Sequence, residues 1–151
     1  MLELTATPKK DANIISYVDA MQLKLENMVK LPVIVYNMRS KSEVIGEAIS
    51  VRRKLEAEAQ EEQKHTGRYI RPIALFQAEP KGKDDNTTFE KLKQYLMDAG
   101  IPQKHIAIKT ANVNELRGVD LLSKNCPIRY IITVNALKEG WDCPFAYIAN
   151  E

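Results

Sequence analysis

Nowhere in the 151-residue sequence do apolar residues run on for the roughly eighteen positions a membrane-spanning helix needs, and the N-terminus lacks the apolar core of a secretory signal. A cytoplasmic protein with no membrane partner is the expectation. Cysteine is scarce: Cys126 and Cys143 stand far apart, each before a proline, which fits neither a disulfide scaffold nor zinc-ligand spacing and suits two reduced thiols. The histidines, His65 and His105, are solitary, so no metal site is expected. An excess of one charge is missing too. With 22 basic residues against 20 acidic, no global field announces nucleic acid, and any such contact must come from local patches.

What is present is an ordinary globular composition, 44% hydrophobic and 28% charged, too apolar for a disordered chain. Residues 17–28 set Val18, Met21, Leu25 and Met28 at helical spacing. Leu31 to Met38, "LPVIVYNM", reads as a buried strand opened by Pro32. Ser42 is expected to cap a long charged helix to about His65, with an apolar stripe of Val44, Ala48, Leu55 and Ala59 and a stop at Gly67. Arg71 to Gln77 is a second strand, followed by a helix from Thr87 or Thr88 through Ala99. His105 to Lys109 is a third strand, then comes a short helical turn around residues 114–117, and Arg129 to Val134 is a fourth strand. Strands alternating with helical stretches imply an α/β fold with a mainly parallel sheet flanked by helices. In such sheets ligands bind beyond the carboxyl ends of the strands, so the loops after Gln77, Lys109 and Val134 should share one edge.

Those loops are polar. Lys81 and Lys83 flank Gly82 in a basic tip that suits a phosphate backbone or is simply a solvated loop. Thr110 and Asn112 offer hydroxyl and amide groups to a sugar-phosphate, or serve as helix caps. In "VNALKEGWDCP", Gly140 gives backbone freedom while Glu139 and Asp142 offer carboxylates; Trp141 as core filler and Asp142 as a turn residue is the plainer alternative.

The motifs carry a resemblance. "LTATP" at Leu4 to Pro8 is similar to the Ser/Thr-Ala-Thr element that closes the first motor domain of superfamily two helicases. "VNALKEGWDCP" at Val134 to Pro144 is similar to the fifth helicase motif in its Leu-x-Glu-Gly-x-Asp-x-Pro form. With "RPIALFQAEPKGKDDNTTFEKLKQYL" and the stretch from Ile101 to Ile148, the chain resembles the helicase subunit of type III restriction enzymes over nearly its whole length. The resemblance implies that residues 1–30 end a first motor lobe and that 31–151 are a second RecA-like lobe. It implies Thr5, Thr7, Glu139, Gly140 and Asp142 as nucleotide-binding or coupling residues. Gln77, Lys81, Lys83, Thr110, Thr133 and Asn135 would lie toward nucleic acid. The better-known pattern sets a threonine six residues before the motif's glycine; here that position is Val134, with Thr133 one earlier.

The same family would use ATP and magnesium, double-stranded DNA, the first RecA-like lobe and a modification (methyltransferase) subunit as cofactors and partners. No Gly-x-x-x-x-Gly-Lys-Thr phosphate loop and no Gln-x-x-Gly-Arg-x-x-Arg element occur in these residues. The expectation is therefore a fragment of a DNA-dependent ATPase that is not catalytic alone, with no catalytic residue in this chain. Two alternatives remain open: a non-hydrolysing RecA-like module that binds nucleic acid or protein, and an assembly subunit using the long helix as an arm.

Overall fold

The computed structural model describes residues 13–26, 40–79, 87–134 and 143–150. The chain divides into two units, Met1–Asn37 and Met38–Glu151. In the first, α1 spans Ala20–Leu25, shorter than the helix expected over 17–28. Its start is set by Asp19, whose carboxylate accepts from the Gln22 N–H at 2.7 Å while the Gln22 side chain accepts from the Asp19 N–H at 2.9 Å. The expected strand Leu31–Met38 lies outside the described residues.

The second unit opens with α2, Lys41–Thr66. Its cap is Ser40, not Ser42: Ser40 has extended backbone and its Oγ accepts from the Glu43 N–H, whereas Ser42 already lies in the first turn. Gly67 ends the helix as expected, at φ 73°, its N–H returning to the Gln63 carbonyl. The buried stripe differs from the expected one. Ile45, Ala48, Ile49, Arg52 and Ala59 are buried, while Val44 and Leu55 are only half-buried. A single polar residue, Arg52, interrupts an otherwise apolar face and displaces the pattern that apolar spacing alone suggests.

After α2 come β1 (Ile73–Gln77), α3 (Phe89–Asp98), a 3-10 turn over Gln103–His105, β2 (Ile106–Lys109), β3 (Tyr130–Thr133) and β4 (Ala146–Asn150). The strand β4 is not among the four strands expected from the sequence. The four strands form an all-parallel sheet in the order β2-β3-β1-β4. α3 is capped by Thr88, and Gly100 at φ 81° with Ile101 closes its end, the Ile101 N–H reaching the Leu96 carbonyl at 3.0 Å.

Period-two alternation divides the strands between two cores. Ala74, Phe76, Tyr130, Ile132 and Ile106 face Ile45, Ala48 and Ile49 of α2 and Leu92 and Leu96 of α3. Ile73, Ala107 and Ile131 face Cys126, Ile128 and Cys143, with Leu116, Leu121 and Phe145 against them. The chain runs from β1 across β3 to β2 by way of α3 on the first face; it then runs back from β2 to β3 through residues 110–129, which cover the second. A single handedness of crossover requires this reversal of face. No helix covers that second face among the described residues, and the short turn expected near 114–117 is present as isolated hydrogen-bonded turns, the Arg117 N–H reaching the Asn114 carbonyl and the Val119 N–H that of Leu116. Gly118 at φ 76° interrupts the segment, and Thr110, Asp120 and Ser123 each accept backbone N–H bonds two residues on, at 3.3, 2.9 and 3.2 Å, turning the chain locally instead of letting it coil.

Candidate functional site

The last residues of three strands stand side by side in register: Lys109 against Thr133, and Thr133 against Gln77. The loops after β1, β2 and β3 therefore leave from one edge, as expected. In the strand order, β2, which follows β1 in sequence, lies on the far side of β3, and β4, which follows β3, lies on the far side of β1. Neighbouring strands whose successors lie on opposite sides of them in the strand order mark a switch point, the place where parallel sheets bind ligands. Here it lies between Gln77 and Thr133.

The residues of this edge differ in what they can offer. Gln77 is exposed and Lys109 half-buried, both on the face opposite the helices. Thr133 is 3% exposed, and its carbonyl accepts from the Ala78 N–H at 2.7 Å, so it fixes the exit of β1. Thr110 is buried, with its Oγ accepting from the Asn112 and Val113 N–H groups at 3.3 and 2.9 Å. Its hydroxyl oxygen builds a turn, and no helix follows it for it to cap among the described residues. Beyond Gln77, the Glu79 N–H meets the Thr87 carbonyl at 2.9 Å and the Thr87 N–H meets Glu79 Oε2 at 2.7 Å. This neck closes the base of the connection that carries Lys81 and Lys83. Those two lysines lie outside the described residues, as do Thr5, Thr7, Asn135, Glu139, Gly140 and Asp142. Lys109 was missed as a candidate although it ends the "HIAIK" strand; in-register alignment with Gln77 is what singles it out, and spacing within one strand does not reveal that.

At the opposite, amino end of the sheet a second polar group gathers. Arg52 of α2 donates through Nε to the Tyr130 hydroxyl at 2.9 Å and through Nη2 to Glu56 at 2.8 Å. The other oxygen of Glu56 accepts from Arg129 Nε at 2.7 Å. Burial works to raise the Glu56 pKa, but the hydrogen bonds and charges of Arg52 and Arg129 outweigh it and hold the carboxyl below the usual range. His105 nearby is pushed down, first by burial and then by the charges of Arg129, Lys104 and Arg52. Arg71, 1% exposed, donates to the Tyr69 hydroxyl and to the carbonyls of Leu121 and Ser123, clasping the second-face segment to the start of β1. These groups tie elements together and stand away from the carboxyl ends of the strands.

Comparison of the chain with protein-family models, curated proteins and solved structures gives no match.

Proposed function

We propose that the chain is the second RecA-like lobe of an ATP-driven DNA translocase, the restriction subunit of a type III restriction-modification system. What supports this reading is the switch point between Gln77 and Thr133, from which the connections bearing Lys81, Lys83 and the Gly140 motif spring. In this reading Gln77, Lys81, Lys83 and Asn135 meet the sugar-phosphate backbone of double-stranded DNA, with Lys109 beside them. Thr110 and Thr133, buried, set the turns that present their neighbours. Thr5, Thr7, Glu139, Gly140 and Asp142 serve the nucleotide side and its coupling to DNA.

In this reading the γ-phosphate and its magnesium belong to the first RecA-like lobe, which also supplies the phosphate loop. A modification subunit supplies sequence recognition. The lobe is accordingly inactive by itself, and its contribution is grip.

The test is duplex binding by fluorescence anisotropy at rising salt, with ATP turnover measured alongside. The reading expects weak binding that falls steeply with salt, as phosphate contacts demand, and no hydrolysis. A flat salt dependence transfers the edge to a protein ligand, and DNA-stimulated hydrolysis by this chain above that of Gly140→Asp contradicts the division of labour.

A further inference from the structure

β2 is an outer strand, pairing among the described residues with β3 alone. The outward backbone groups of such a strand are a template for another strand. Here the N–H groups turned away from β3 are those of Ile106, Ile108 and Thr110, and each is already engaged. The Ile106 N–H meets the Gln103 carbonyl, and the Thr110 N–H meets the Val113 carbonyl at 2.7 Å. Between them, the Ile108 N–H donates to Glu115 Oε2 at 2.7 Å, while the Ile108 carbonyl accepts from the Glu115 N–H at 3.0 Å. One residue thus supplies, with its backbone and its carboxylate, both bonds a neighbouring strand would make. The short antiparallel bridge between Lys109 and Asn114 and the Thr110 turn deliver it there.

We infer that Glu115 is an edge plug that keeps β2 from pairing with an extended strand of another chain, above all with β2 of a second copy. The carboxylate makes a charge-assisted bond to the Ile108 N–H, and it also lines the edge with negative charge, a device that discourages strand addition. On this inference the sheet does not continue past β2, whatever the function of the opposite end.

The test compares the full chain with Glu115→Ala and Glu115→Gln. Glu115 is exposed, so neither change touches the core, and far-UV circular dichroism verifies the fold. In Glu115→Ala the Ile108 amide should exchange about tenfold faster by NMR, the scale of one lost hydrogen bond, and sedimentation velocity should show association that grows with concentration. Glu115→Gln, which keeps an acceptor oxygen, should hold Ile108 near its original exchange rate and sediment with the parent. Unchanged exchange in Glu115→Ala overturns the inference, and so does faster exchange without association, which would leave a hydrogen bond with no guarding role.

Discussion

Glu56 sits between two guanidiniums, 21% exposed, joining α2 through Arg52 to the strand entrance at Arg129. Its folded-state pKa lies below that of the unfolded chain, so between the two values the folded protein holds fewer protons. Its contribution is therefore whole above the unfolded value near 4.5 and fades as pH falls through the folded one. Glu56→Gln should cost about 1–3 kcal/mol at neutral pH, and the difference from the parent should shrink in acid below that window; thermal melts across pH measure both. His105 follows the same sign. Its lowered pKa means that protonation opposes the fold, and its stabilising effect is lost as pH falls below the ordinary value of 6.5 through the folded one. Gln77 is the contrasting residue. Exposed at the end of β1, it should be replaceable by alanine at about 0.5 kcal/mol or less in a denaturant titration, while duplex affinity at low salt falls several-fold.

The elements answer to their ends as much as to their interiors. Gly67 adopts φ 73° with open space around it, so Gly67→Ala meets no neighbour and pays only for the left-handed backbone, about 1 kcal/mol. Gly46 is also free of neighbours but lies inside α2, where Gly46→Ala should instead stabilise by about 0.5–1 kcal/mol. Opposite shifts in urea midpoint for the two variants check the assignment. β1, β2, β3, α2 and α3 were all legible in the sequence to within one or two residues at most ends, because apolar runs and Gly stops are local signals. The Ser40 cap was not, since Ser40 and Ser42 differ only in which one has extended backbone. Arg52 escaped because a stripe search counts apolar residues, and a buried arginine is recognisable only from its partners Tyr130 and Glu56. β4 was not legible, because the run after Pro144 is short and mixed, and the course of the second-face segment depends on local side-chain bonds such as those of Asp120 and Ser123.

Across the whole molecule the two ends of the parallel sheet differ in character. The amino end is closed by internal ion pairs among Arg52, Glu56 and Arg129, whereas the carboxyl end presents the row of Lys109, Thr133 and Gln77 at the switch point. That the strand ends would share an edge could be argued from βαβ alternation alone. Which residues align could not, because register depends on pairings between segments remote in sequence. The central claim is that nucleic acid engages the carboxyl end. Titrating isotopically labelled protein with a short DNA duplex at low salt, and following backbone amide shifts by NMR, tests it most directly. The account predicts perturbations concentrated at Gln77, Lys109 and Thr133 and their neighbours, with Arg52, His105 and Arg129 unmoved. Perturbations centred on the amino end, or none at either end, would contradict it.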